Sequence, residues 1–259
     1  MSLLIPFVIF AFAQTPPTGR VKADSPLTWR EVTGPCSISP QQALDLSRKY
    51  LGRSDIAGST PQLVDLTDRD TLGVRNVDRR LYLTLFDSVP FTRNFQDDSL
   101  AIDLHVGVDA ESGQLAVAFT PAKAEWIEPM TPRRSADAVA VEAGWTMSAA
   151  PHDGMSSTLI EVLDAVFEQY GRVSIDAGQV VVRPRWIVQK FPARLEGETL
   201  IPIRPPSRAW LVHTMGELLI WGSSPQPRDG SPPKLHYYTQ CIALVADSTL
   251  VLCPCSYAP

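Results

Sequence analysis

The chain has 259 residues, 44% of them hydrophobic, which is enough apolar sequence to bury a sizeable core. Its net charge is -5, with acidic and basic residues interspersed and no cluster of Lys and Arg with interleaved aromatic residues. These features exclude the usual basic face of a nucleic-acid-binding protein.

The first segment has the pattern of a signal peptide. An apolar run of about ten residues begins at Leu3 and closes on the small residues Ala11 and Ala13, well short of the length of a membrane span. We predict a signal peptide at 1–13 and an exported protein, periplasmic or secreted, with no membrane span after cleavage. The alternative is a buried N-terminal strand or helix. The Thr- and Pro-rich start of the extended segment at 14–38 disfavours it.

A first unit of helix and strands is predicted over residues 39–130. Ser39 and Pro40 are typical of a helix start, and Gly52 is typical of a helix stop. Strand-like runs follow at 62–66, 81–86 and 100–108. The last run enters a loop that reads Asp-Ala-Glu-Ser-Gly, and this turn composition predicts a hairpin.

Residues 131–155 are predicted to be a linker. Prolines interrupt this part of the chain on both sides of one helical pattern at 135–145. We therefore expect the boundary between two domains here.

A second unit is predicted over residues 156–259. It opens with the clearest helix signal in the chain, at 158–170, where apolar residues recur at offsets of three and four. Thr158 and Glu161 supply a capping box at its start. Strand-like runs follow, and the unit ends in a hairpin around Asp247.

Both units have the order helix, strands and terminal hairpin, so we expect an α+β fold of one or two units, in each of which a helix packs on an antiparallel sheet; the shared order suggests duplication. The first hairpin, which reads V-D-A-E-S-G-Q-L over residues 108–115, resembles the V-D-A-x-T-G-x-V turn of PepSY and PepSY-like domains. The resemblance covers 39–119 and, more faintly, 157–252, where the turn glycine is missing. It implies two PepSY-like or cystatin-like units. It also implies an exported module that inhibits or chaperones peptidases, or binds envelope components, without catalysis.

The four cysteines are an even number in a chain with an export signal, which favours disulfides. They are Cys36, Cys241, Cys253 and Cys255. In the simplest register of the C-terminal hairpin, Cys241 lies across from the residue between Cys253 and Cys255 and could pair with either. Cys36 would then tie the N-terminal segment to the C-terminal tail. The alternative, a Cys-Pro-Cys redox or metal site, lacks the further ligands that metal clusters need.

No catalytic signature occurs in the sequence, which lacks serine-nucleophile, zinc-protease, Walker and dinucleotide patterns. His105 and His213, in predicted strands, are interpreted as structural. Asp97, Asp98 and Asp103 lie close together but lack the spacing of a calcium loop. We predict no catalytic, cofactor-binding or metal-binding residues. The alternatives are a secreted hydrolase with these acidic residues in a cleft between the halves, and a structural envelope protein.

Aromatic residues of the second unit are the one hint of a recognition surface. They are Trp186, Trp210, Trp221, Tyr237 and Tyr238. On an exposed sheet face they would form a binding platform, whereas beneath the helix at 158–170 they would be core, which we favour for at least two of the tryptophans. The leading hypothesis is a non-enzymatic exported module that binds another envelope or secreted protein, a peptidase among the candidates. Binding would use a sheet edge or exposed loops.

Overall fold

The computed structural model describes residues 27–68, 79–90, 101–121, 136–149, 154–170, 179–189, 194–196, 199–201, 207–221, 235–250 and 252–258. The predicted signal peptide lies outside the described residues. In chain order the elements are β1 Leu27–Glu31, α1 Pro40–Leu51, β2 Gln62–Asp68, β3 Arg79–Pro90, β4 Ala101–Asp109, β5 Leu115–Phe119, α2 Ala136–Glu142, β6 Trp145–Ala149, α3 Leu159–Tyr170, β7 Gln179–Gln189, β8 Arg194–Glu196, β9 Thr199–Ile201, β10 Ser207–Trp221, β11 Leu235–Ala246 and β12 Leu252–Ala258.

One antiparallel sheet of ten strands dominates the part of the chain that the structure describes. Nine strands lie in the order β1-β2-β3-β4-β5-β7-β10-β11-β12, β6 pairs with β7, and β8 with β9 forms a separate ribbon. The predicted α+β fold, with a helix packed on the sheet of each of two PepSY-like or cystatin-like units, is therefore wrong. Strands of both predicted units belong to one sheet, which is continuous because β5 pairs with β7 at Ala118 and Val182.

The centre of the sheet contains a proline, Pro184 on β7, in a position where its missing N–H costs no ladder hydrogen bond. Val180 directs its backbone N–H and C=O toward Thr120, and alternate residues of an antiparallel strand face the same neighbour. The backbone of Pro184 is therefore directed to the side of β5 and β6. It lies between Val182, where the pairing of β7 with β5 ends, and Arg185, where its pairing with β6 begins. This gap between two strands explains why a central strand accepts a proline.

The two long helices form as the sequence predicts. Ser39 caps α1, with its side chain and that of Gln42 forming reciprocal bonds to the backbone, and Gly52 ends the helix with φ 86°. In front of α3, the Thr158 N–H donates to Glu161 Oε2 at 2.7 Å, while the Glu161 N–H donates back to Thr158 Oγ1 at 3.4 Å. Both starts are capping boxes, which satisfy N–H groups that have no partner inside a helix.

The two faces of the sheet bury separate apolar clusters. On one face, called here the helix face, α1 and α3 cover a core that includes Leu51, Leu163 and Trp210. The opposite face has one cluster around Leu27 and Phe119 and a second one beneath α2. The segment predicted as a linker thus supplies α2 and β6 to this architecture. No helix among the described residues is long and apolar enough to cross a membrane.

Cys36 is a free thiol that packs against the cluster containing Tyr82 of β3. The backbone of Cys241 belongs to β11, which is five strands away from β3 in the sheet. The predicted tie between Cys36 and the C-terminal tail is therefore not formed.

The C-terminal hairpin forms between β11 and β12. The observed register places Ala243 opposite Pro254 and Cys241 opposite Tyr257, with a bulge between Ile242 and Ala243. The side chains of Cys241, Cys253 and Cys255 lie outside the described part of the structure. A disulfide among these three residues stays a prediction.

Candidate functional site

The strand β1 carries the one large hydrophobic side chain that is exposed among the described residues. Trp29 is 42% exposed, yet its ring lies 5.4 Å from that of Phe119 and 5.8 Å from that of His105, measured between centroids. Those two residues belong to β5 and β4, so β1 curls back over the opposite face of the sheet. Leu27, which is fully buried in the same cluster as Phe119, anchors the strand there.

His105 lies beneath this indole and stacks on Phe119, with ring centroids 5.0 Å apart and an interplanar angle of 12°. Its Nδ1 is buried and has no hydrogen-bond partner within the described residues. Burial lowers the pKa of His105, and this effect outweighs the opposing charges of Asp103 and Asp87. The imidazole is therefore neutral at pH 7.

A bulge in β3 brings acidic side chains next to His105. The register with β4 shifts here, and Ser88 adopts a left-handed conformation with φ 51°. Asp103 Oδ1 accepts the Ser88 N–H at 2.9 Å and so holds a backbone conformation that is costly for a residue other than glycine. Asp87 and Asp103 are exposed, as is Glu31, which shares the face of Trp29 on β1.

We call the group of exposed or half-buried side chains at this edge the Trp29 surface. It consists of Trp29, Glu31, Asp87, Asp103 and His105. Bulges often lie beside binding and catalytic sites because they aim side chains away from the regular pleat. The arrangement can hold an apolar or cationic group against an indole, and it contains no activated nucleophile among these side chains.

One buried ion pair joins β7 to the β1–β2 ribbon, and a second one joins β7 to α2. Arg183 on β7 donates from Nε and Nη2 to both carboxylate oxygens of Asp68, at 2.6 and 2.8 Å. Two residues along the same strand, Arg185 Nε donates to Asp137 of α2 at 3.3 Å. Burial lowers the pKa of Arg185, while Asp137 raises it and Arg183 lowers it further. These pairs make the central charged layer of the opposite face, between its two apolar clusters.

The stability of this edge should depend on pH through His105. The folded-state pKa lies below the ordinary value of about 6.5, so below that pH the unfolded chain binds more protons than the folded one. We expect the free energy of unfolding to fall as the pH drops below about 6.5, down to the folded-state pKa. In the His105→Phe variant, which stays neutral, urea denaturation between pH 7 and pH 5 should show a smaller fall. Parallel curves for the two proteins would contradict this assignment.

The predicted aromatic surface is divided by the structure. Trp210 is fully buried in the helix-face core, and its indole N–H donates to Ser157 Oγ at 2.8 Å. Trp186 is half-buried, with the Arg208 guanidinium 4.8 Å from its ring. The backbones of Trp221, Tyr237 and Tyr238 lie in the β10–β11 ladder. Side chains of these three lie outside the described residues, so their role in binding stays a prediction.

The acidic cluster that suggested a hydrolase is only partly described. Asp97 and Asp98 lie outside the described residues, and Asp103 is an exposed residue bonded to the bulge. His213 is fully buried on β10. Among the described residues, no group of three or more His, Cys, Asp and Glu side chains is arranged to hold a metal ion.

Sequence reasoning missed the central residue of the candidate site. Trp29 lies in the segment predicted only as extended, and the signal available was an isolated Leu-Thr-Trp run next to Pro26. Period-two alternation of Leu27 and Trp29 is too short to predict a strand. Comparison of the chain with protein-family models, with curated proteins and with solved structures found no match.

Proposed function

We propose that this protein is a non-enzymatic binding module that captures an extended segment of another exported or envelope protein along the outer side of β1, at Trp29 and Glu31. The observation that carries the proposal is the exposed indole of Trp29 on an edge strand. The resemblance of its first hairpin to PepSY-like domains makes a peptidase a candidate partner. Strand addition of this kind obtains affinity from the backbone and specificity from alternate side chains.

The backbone of β1 supports the proposal because Trp29 and Glu31 direct their hydrogen-bonding groups away from β2. Among the described residues β1 pairs with β2 alone, in a register that joins Trp29 to Leu66. The Val32 N–H donates to Leu63 O, so the backbone N–H and C=O groups of every second residue counted back from Val32 point toward β2. Trp29 and Glu31 alternate with these residues and direct their N–H and C=O groups outward.

The exposure of Trp29 supports the same conclusion. β1 has the usual protection of an edge strand, since it is five residues long and exposes the charged side chains of Arg30 and Glu31. Here an indole that could be buried is left with 42% of its surface in contact with solvent. Aromatic residues with one face packed and the other exposed are common anchors of protein interfaces.

A substitution at Glu31 tests the proposal with little cost to the fold. Because the Glu31 N–H faces outward, Glu31→Pro removes a donor for an incoming strand and none of the bonds to β2. The full chain and this variant are used as baits in the exported fraction of the native cell, with Glu31→Gln as the control for charge. We expect a stoichiometric partner that wild type and Glu31→Gln retain and Glu31→Pro loses. A partner retained equally by all three, or substrate turnover abolished by His105→Gln, would contradict it.

A further inference from the structure

We infer that the segment captured by β1 is basic, with a Lys or Arg side chain placed over the indole of Trp29 and against the carboxylates of the Trp29 surface. This inference rests on the proposed function, since it names the chemistry of the partner at the same edge. The inference depends on the exposed carboxylates and the indole ring of Trp29, which lie beside β1 on the face of the sheet opposite the helices.

Exposed charges on the Trp29 surface are all negative. Glu31, Asp87 and Asp103 are exposed carboxylates, and the neighbouring imidazole of His105 is neutral because burial lowers its pKa. Arg79 also faces this side of the sheet by its register with Leu66, but it is half-buried. Within the described residues, an incoming strand therefore meets an acidic rim, which favours basic side chains and disfavours acidic ones.

The positions of these groups fit a cationic side chain better than an aliphatic one. On a strand added to β1, the residue opposite Trp29 has its Cβ about 5 Å from that of Trp29 on the same face. A Lys or Arg there can place its cation within about 6 Å of the indole, which gives a cation–π contact. Glu31 lies on the same face of β1 as Trp29, and the charges of Asp103 and Asp87 act on His105, whose ring lies 5.8 Å from that of Trp29.

The bulge at Ser88, where the backbone is left-handed, determines where Asp87 and Asp103 lie on the Trp29 surface. A regular β3 would pair residue for residue with β4, whereas the observed bulge displaces Asp87 and is held by Asp103. The strain at Ser88 persists because the bond from its N–H to Asp103 stabilises it. The same carboxyl group thus fixes the bulge and contributes to the acidic rim.

Fluorescence anisotropy with three labelled nine-residue peptides tests the inference on the full chain at 50 mM NaCl. The first alternates Thr with Arg, the second alternates Thr with Glu, and the third is the Thr-Arg peptide with methylated Arg backbone nitrogens, so that it keeps the charge and loses the donors that would face β1. We expect the Thr-Arg peptide to bind at least about tenfold more tightly than either of the others. Trp29→Ala and Glu31→Pro should each weaken its binding about tenfold. Thr28→Ala, on the same strand with its side chain on the other face, should leave it unchanged.

Each other outcome is decisive. Equal binding of the Arg and Glu peptides, with both lost in Glu31→Pro, would overturn the basic preference and leave strand capture standing. No binding of either strand-forming peptide at 1 mM would overturn both. Equal binding of the Thr-Arg peptide and its N-methylated form, unaffected by Trp29→Ala, would show general charge attraction to an acidic protein and would overturn the inference.

Discussion

Replacement of Arg183 by methionine is expected to lower the free energy of unfolding by about 3–5 kcal/mol, the usual cost of removing one partner of a buried ion pair. The Arg183 side chain is 1% exposed and makes two bonds to Asp68, at 2.6 and 2.8 Å. Its removal leaves the Asp68 carboxylate, itself mostly buried, without its bidentate donor. Urea denaturation at pH 7, with an unchanged dependence on denaturant concentration, measures the loss.

A surface pair of the same chemistry provides the control. Arg30 donates to Asp65 at 3.0 Å on the helix face of the β1–β2 ribbon, but its side chain is 72% exposed. Arg30→Met should therefore cost no more than about 1 kcal/mol. The double variant Arg183→Met with Asp68→Leu should recover most of the loss, because neither charge of this pair is then left buried without the other. Equal costs for Arg183→Met and Arg30→Met would contradict the buried role of Arg183.

The helices could be predicted from the sequence because their signals are local. The capping boxes at Ser39 and Thr158 and the stop at Gly52 are each contained within a few residues of chain. Capping bonds and helical periodicity depend on neighbours in sequence, so they survive into the folded structure unchanged. The hairpin between β4 and β5 was predicted for the same reason, and its Asp109 bonds the turn as expected.

The sheet could not be predicted in the same way, since its organisation depends on non-local pairing. No pattern in the sequence indicates that Phe119 of β5 pairs with Val181 of β7, and this contact joins the two predicted units. Buried polar residues also hide the length of the strands. Arg183 and Arg185 interrupt the apolar run of β7, yet both are buried, and each forms an ion pair with a carboxylate from a distant element.

The candidate site was hidden for a related reason. Four of the five residues of β1 are exposed, so this strand lacks the hydrophobic alternation that predicts one. Trp29 acquires its environment from His105 and Phe119, which reach it only because the sheet curls. Nothing in the sequence links His105 and Asp103 to Trp29, and only the fold places the three residues on one surface.

Replacement of Asp247 by alanine is the second large effect that we expect, a loss of about 3–5 kcal/mol in the free energy of unfolding. Asp247 lies in the turn between β11 and β12 and is 6% exposed. Its carboxylate accepts the backbone N–H and the hydroxyl of both Ser156 and Ser157, and the indole N–H of Trp210 at 3.2 Å. Alanine would leave these donors, several of them buried at the start of α3, without their charged acceptor.

Asp109 provides the matched control in the other hairpin. It accepts the N–H groups of Glu111 and Ser112 at 3.1 and 2.7 Å, but all its bonds stay within its own turn. Asp109→Ala should therefore cost about 1 kcal/mol, as for the loss of a local cap. If the two alanine variants unfolded at the same urea concentration, Asp247 would be no more than a turn residue.

The pH dependence of the free energy of unfolding distinguishes the contribution of the Asp247 charge from that of the size of its side chain. Burial raises the pKa of Asp247, but the bonds from Ser157 and Ser156 lower it more, so the net shift is downward. A depressed pKa means that the contribution is present above the unfolded-state value of about 4 and is lost as the pH falls through the folded-state value. The stability difference between wild type and Asp247→Ala should therefore be constant near neutrality and narrow in acid. Because these bonds join α3 to the last hairpin, their loss should also reduce hydrogen-exchange protection at the start of α3 before it affects α1.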